Sequence, residues 1–165
     1  MAFDSYLQIA EIAGDSTDSA HTDWIEILAF NFSIDQATGG SSSGSGSFAG
    51  GAANVSDFFI TKRLDAASAN LQLFCLRASY ISEMVLECCR ARGDKTCFYK
   101  VTMNNAIVSS YAPTGTAAGN DLMPTEQVGF RFDKIQVEYT ATDATTGAAG
   151  STFTSNWSLV DGAPF

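Results

Sequence analysis

Four cysteines, one histidine and a glycine-rich run are the residues of this sequence whose types could do chemistry. Cys75, Cys88, Cys89 and Cys97 form no C-x-x-C pair, and His21 lies far from them along the chain. On a strand, adjacent Cys88 and Cys89 point to opposite faces and cannot easily bond to each other. The spacing therefore predicts buried reduced thiols rather than a disulfide or a zinc site. His21 sits in "DSAHTD", a polar stretch that reads as a solvated loop, so a general base is not expected there. Glu83 and Glu87 read as the solvated face of one strand. With no second histidine and no G-x-S-x-G elbow, an enzyme would have to run on carboxylates alone, and no pair of them stands out. Three N-x-S sequons, at Asn31, Asn54 and Asn156, have no meaning in a cytoplasmic product.

The run "GGSSSGSGSFAGGAA" over 39–53 contains Gly44, Gly46 and Ala49 in a formal G-x-G-x-x-A, with Asp65 about twenty residues on. A dinucleotide fold needs a helix to open at once, so that the pyrophosphate lies on its N-terminus. Here "GAANVSDFFITK" reads as extended, and the match is discarded. No cofactor and no metal are expected. The run is not a domain linker either, because neither flank makes a domain alone. It reads as a long β-hairpin arm, 39–53, with Phe48 its only large side chain. Loops beyond about a dozen residues inside compact domains are usually functional or disordered.

The elements around these residues follow from period. The 165 residues suit one domain, 1–165, with 45 % hydrophobic residues and a rich aromatic supply that leans toward β-structure. Residues 2 to 10 read as a short strand. In "WIEILAFNFSI", Trp24, Leu28, Phe30, Phe32 and Ile34 share one face, predicted to enter the core, and Asn31 and Ser33 lie on the opposite, small and polar face. "SDFFITKR" is a further strand. At Asp65, a predicted N-cap, the period becomes helical through Ala67, Leu71, Phe74, Cys75 and Ala78. Three strands follow, "EMVLECCRA", "TCFYKVTMNNAIVSSY" and "EQVGFRFDKIQVEYTAT", with "RGDK" as a hairpin turn and a change of phase near Asp133 and Lys134 that implies a bulge or bend. "GTAAGND" and "TDATTGAAGST" read as loops of small residues, and "NWSLV" is a final strand. The expectation is a mainly β protein: a β-barrel or sandwich of two sheets with one flanking helix.

A net charge of −9 excludes a phosphate-backbone partner, which needs a basic, counterion-releasing face, and it disfavours anionic membranes. The opening residues lack a signal peptide's basic region and apolar core, and no run is long enough to span a bilayer.

The whole sequence resembles the Hcp family, the hemolysin-coregulated proteins of the bacterial type VI secretion system. "MAFDSYLQIAEIAGDSTDSAHTDWIEILAF" is similar to the family's opening strand, G-D-S-T-D turn, histidine and W-I-E strand. "FFITKRLDAASANL" is similar to its strand-to-helix junction and "VLECCRARGDKTCFYKVTMNNAIVSSY" to its central hairpin. "NWSLV" resembles the terminal strand, with Asn156 where the family usually has Gly. The resemblance implies a barrel-like subunit that forms homo-hexameric rings. These stack into a tube that a contractile sheath and a spike protein drive into target cells, with small effector proteins carried in the lumen. It further implies a bacterial cytoplasmic protein that leaves without a cleaved signal, has no appended toxin domain, and is no enzyme. The arm then becomes the ring-stacking element, with Gly44, Gly46 and Phe48 at its contacts. Asn31 and Ser33, and more weakly Thr114 and Thr116, become lumen residues. A phage-type tail-tube protein of the same fold is the alternative, and a small carboxylate hydrolase a third reading.

Overall fold

The computed structural model describes residues 3–39, 49–91, 95–115, 123–143 and 145–165. Eleven strands and one helix follow in chain order: β1 Phe3–Ile9, β2 Ile25–Ile27, β3 Ala29–Asn31, β4 Ile34–Gly39, β5 Ala49–Val55, β6 Phe58–Arg63, α1 Ser68–Arg77, β7 Tyr80–Arg90, β8 Cys97–Thr114, β9 Thr125–Arg131, β10 Lys134–Thr142 and β11 Ala149–Ser158. Among the described residues, no helix is long and apolar enough to cross a membrane.

The main sheet runs β2-β1-β7-β8-β9-β6-β3, all antiparallel. Its two terminal strands, β2 and β3, are one stretch of chain separated by Leu28 alone. Leu28 donates its N–H to the Thr61 carbonyl at 2.7 Å, so β2 and β3 join the ends of the order and the sheet closes on itself. Closure removes the edges of this barrel. Its inside is filled by side chains that include Leu7, Ile25, Phe58, Ile60, Met84, Leu86, Met103 and Phe130.

Leu28 also corrects the face expected for residues 24–34. Ile25 and Ile27 are the buried pair of β2, whereas Leu28 and Ile34 are exposed. The chain changes partner from β1 to β6 at Leu28, and the inward parity flips there. Beyond the flip Phe30 and Phe32 pack against the core as expected.

β8 organises the rest. One edge pairs with β7, from Tyr80↔Ile107 to Cys89↔Cys97. Along its other edge lie β9, from Ile107↔Arg131 to Thr114↔Thr125, and β10, from Lys134↔Asn104 to Tyr139↔Tyr99. The expected bend at Asp133 is a full break: β9 leads on to β6 and the barrel, while β10 leads out to β11. The residues expected as a loop over 142–152 are partly strand, because β11 starts at Ala149.

The helix begins close to where the periodicity places it. Regular helix starts at Ser68 and its N-cap is Ala67, with no side-chain capping bond, so the N-cap expected at Asp65 falls two residues early and Asp65 instead holds the preceding turn. Asp65 Oδ1 accepts the Ala67 N–H at 2.9 Å, and Ser68 Oγ accepts the Asp65 N–H at 3.0 Å. At the other end Ala78 is left-handed, and the N–H groups of Ala78 and Ser79 donate to the carbonyls of Cys75 and Phe74. The helix buries Leu71 and packs on β8.

Candidate functional site

Three features of the surface are built strongly enough to act: the arm, the open side of the β10–β11 ribbon, and a buried cluster under the 10–24 loop.

The arm is the two-stranded sheet β4–β5, paired from Ile34↔Val55 to Gly39↔Ala49. Its neck is tied by Ser33 and Ser56. The Ser33 N–H donates to Ser56 Oγ at 2.8 Å, and the Ser56 N–H returns to the Ser33 carbonyl at 3.0 Å. Higher up, Gln36 donates to the Gly51 carbonyl. Asp35, Gln36, Ala37 and Gly51 to Asn54 are all exposed. Most of the expected 39–53 arm lies outside the described residues; the paired strands observed are Ile34–Gly39, which begins before that range, and Ala49–Val55. Gly44, Gly46 and Phe48 lie outside the described residues.

Beside the arm's base, a groove is lined by Ile34, Val55, Ile135, Val137, Trp157 and Leu159. On the adjoining ribbon Tyr139 pairs with Phe153 and Ile135 with Trp157. Phe153 is 63 % exposed. Among strands β11 pairs only with β10 in the described residues, and apart from the bridge of Ser158 to Ala163 its outer edge presents unpaired backbone groups.

Asn31 is exposed in β3, in one cross-strand row with Phe59, Gly129 and Ser110. The row is tight. A Cβ on Gly129 would come within 2.5 Å of Ser110 Oγ and 2.8 Å of the Phe59 ring, which lies across this glycine. Ser110 thus joins Asn31 on a surface that single-strand periodicity could not assemble. Ser33 is engaged in the arm's neck. Thr114 pairs with Thr125, opposite Arg63, four residues along β6 from Phe59. Asn31 and Thr114 therefore stand roughly 13 Å apart along the strand, and the fold does not bring them together. Thr116 lies outside the described residues.

The third feature overturns two expectations. The 10–24 loop is a compact lid on β1 and β7. The Gly14 N–H donates to the Asp23 carbonyl, and the Ser16 and Asp23 backbones bond to Trp24 and to each other. The loop passes so close to itself that a Cβ on Gly14 would lie 2.3 Å from the Trp24 carbonyl oxygen. His21 is therefore only 2 % exposed, not a surface residue. Its ring stacks on Tyr6 at 4.2 Å and meets Trp24 edge-on. Nδ1 lies 3.0 Å from Asp18 Oδ1 and Nε2 lies 3.0 Å from Glu87 Oε2. Lys95 pairs with Asp18, and this bond, with that of His21, holds the Asp18 carboxyl well below the usual carboxylate range.

The cysteines require the second correction. Cys88 and Cys89 do point to opposite faces: Cys88 joins the core, and Cys89 turns to His21. Cys89 is not a free thiol, however, but is disulfide-bonded to Cys97. A register shift between Cys88 and Cys89 sets Cys89 opposite Cys97 across the β7–β8 pair, with Cα atoms 3.8 Å apart. The partner lies across the hairpin and not next along the chain. Cys88 remains a buried thiol, pushed up by burial, with Ser5 Oγ 3.6 Å away, and Cys75 is free and half-buried.

One further polar group is wholly internal. Lys62, with no exposed surface, donates to Glu126 Oε1 at 2.7 Å and Asp65 Oδ1 at 2.6 Å. The Tyr111 hydroxyl donates to Glu126 Oε2 at 2.6 Å, and Ser68 donates to Glu126 as well. This is a structural clamp between β6, β8, β9 and α1, and only its Asp65 end reaches a surface cavity among the described residues.

No arrangement among the described residues sets a nucleophile beside a base in an open cleft, and the surfaces above are suited to contact with other chains. Comparison with known proteins agrees. Residues 6–139 match the family model "Type VI secretion system effector, Hcp". The chain is 29 % identical over 160 residues to protein hcp1 of Pseudomonas aeruginosa, with 96 % of each chain covered. A solved type six secretion system protein superimposes with a TM-score of 0.92 at 31 % identity, covering 98 % of this chain and 99 % of the other. Hcp1 from Salmonella typhimurium superimposes with a TM-score of 0.82 at 25 % identity over the whole of both chains. This chain belongs to the Hcp family, the tube proteins of the type VI secretion system.

Proposed function

We propose that the protein assembles into hexameric rings that stack head to tail as the inner tube of the secretion system, carrying small effector proteins in the lumen. It works as a structural carrier and not as an enzyme. The arm carries this reading. A two-stranded sheet standing alone is marginal in water, and this one has glycine at 39, 50 and 51 and an exposed surface. It needs a second chain to cover it. Head-to-tail contacts between unlike faces close into rings and open into stacks. The apolar ribbon of Tyr139, Phe153 and Trp157, with the unpaired edge of β11, supplies the unlike face. In this reading the arm contacts the neighbouring ring or subunit. The sheath and spike are the partners during firing, and the protein moves from the cytoplasm to the outside.

Sedimentation should show a hexamer at micromolar concentration, without cofactor or nucleic acid; a monomer at high micromolar concentration overturns the proposal. Deleting residues 41–50 should keep the cooperative melting transition and weaken stacking, read by electron microscopy of concentrated rings.

Asn31 and Ser110 are small and polar and stand at the two ends of a row whose middle is the Phe59 ring over Gly129, and we assign these two side chains to the inner wall. Hydroxyls and amides hold varied cargo by hydrogen bonds without gripping it. Asn31→Trp should leave fold and ring intact and reduce co-purification of the cognate effector several-fold. Unchanged retention would put Asn31 elsewhere.

A further inference from the structure

His21, Glu87, Cys89 and Cys97 come from three parts of the chain, the 10–24 loop, β7 and β8, and place one ligand atom each within 4.8 Å of the others. His21 Nε2 lies 3.0 Å from Glu87 Oε2, 3.7 Å from Cys89 Sγ and 3.9 Å from Cys97 Sγ. Tetrahedral zinc, with bonds of about 2.3 Å to sulfur and about 2.0–2.1 Å to nitrogen or oxygen, sets ligand atoms about 3.3 Å apart for an N–O edge and about 3.6 Å for an N–S edge. Three edges of such a tetrahedron are thus already present to within a few tenths of an ångström. The two Glu87–sulfur edges are within 4.8 Å, and the sulfur–sulfur edge is closed by the disulfide.

We propose that these four residues form a redox-alternating site: a Cys89–Cys97 disulfide when oxidised, and, when reduced, a zinc site made by the two thiolates with His21 and Glu87. A dithiol reductant gives two electrons and two protons to the disulfide and becomes a disulfide itself, leaving two thiols. Zinc then displaces both thiol protons, and any proton on His21 Nε2, to solvent and bonds the two thiolates. The sulfurs need only part to about 3.8 Å, the S–S edge of the same tetrahedron.

The surroundings are those of a metal-ligating histidine. Asp18 accepts from Nδ1, which leaves the Nε2 lone pair for the ion. The Asp18 side chain is itself only 5 % exposed, and Lys95 pairs with it. Tyr6 and Trp24 fix the ring from both sides. Two thiolates and one carboxylate favour zinc over the hard cations, which take oxygen ligands. The two forms differ mechanically. The disulfide joins β7 to β8 only, whereas the ion would also tie down the 10–24 loop through His21. They sort by compartment, since thiols stay reduced in the cytosol and disulfides persist outside it.

The test uses the full-length protein, reduced with a phosphine and stripped of metal, and then titrated with Zn2+ or Co2+ alone. The reduced protein should take up one Zn2+ per chain, and its Co2+ form should show sulfur-to-cobalt charge-transfer absorption. The oxidised protein should take up none. Cys97→Ser should weaken uptake at least tenfold, and Asp18→Asn, acting through His21, by about 10- to 100-fold. Should Cys97→Ser fail to fold, alkylation of the wild type decides: bound zinc should shield Cys89 and Cys97, and leave Cys75 as reactive as before. Absence of uptake by the reduced protein, uptake unchanged by Cys97→Ser, or unshielded thiols would each overturn the proposal.

Discussion

Glu126→Ala should cost about 3–5 kcal/mol of folding stability, because it removes one of the two carboxylates that hold the buried Lys62 ammonium and leaves the Tyr111 and Ser68 hydroxyls short of an acceptor. Lys62 and Glu126 face each other across β6 and β9, and neither side chain has exposed surface. Asp65 still accepts from Lys62, but Tyr111 and Ser68 both lose an acceptor inside the protein. Urea denaturation at fixed protein concentration measures the loss. A change below about 1 kcal/mol would mean that Lys62 reaches water, as surface pairs do. The wild type should also show an alkaline signature. Burial, and then the bond to Glu126, pushes the Tyr111 hydroxyl up to about 12 from a reference of 10.0. The folded form thus binds this proton more tightly than the unfolded one. Its contribution is fully present below pH 10 and is lost as the pH rises toward about 12.

Phe58→Ala should have an effect of similar size, about 3–5 kcal/mol, by the usual cost of emptying an aromatic core site. Phe58 is fully buried, paired with Phe130 in the adjoining strand. The rings of Phe30 and Phe32 lie about it at 6.0 and 5.8 Å. The loss should be uneven. β3 hangs on β6 by three residue pairs, so the cavity loosens the strand that carries Asn31 and the neck of the arm. Hydrogen exchange should quicken first in β3 and leave β7 and β8 slow until global unfolding. Uniform acceleration would show that β3 is not separable from the barrel.

What the sequence shows and what it hides divide along physical lines. Period-2 alternation found most of the strands, and the switch to helical spacing after Asp65 found α1, because burial of one face is written locally. The flip at Leu28 was invisible: it arises from a change of strand partner, and the string "WIEILAFNF" alternates smoothly through it. His21 was misplaced for a related reason. Its neighbours are polar, but they bond to one another and to the histidine, so the loop becomes a lid and not a solvated tether. The disulfide needed the β7–β8 register, which a bulge shifts by one at Cys89. For the surfaces, composition marked only the Gly/Ser run between β4 and β5, whereas the row joining Asn31 to Ser110 depends on four strands set side by side. Only the resemblance of "GDSTDSAHTDW" to a family opening marked the histidine loop as a unit.

The pairing of β1 with β7 has a consequence during synthesis. Phe3 meets Arg90, a residue made 87 positions later. At about 5–20 residues per second, β1 waits on the order of 4–17 s for its main partner to leave the ribosome. Its other neighbour, β2, offers only three residues. Throughout that interval Leu7 and Ile9 have no core to enter. The barrel cannot close until β9 has followed, so these apolar side chains stay without their final cover for longer still.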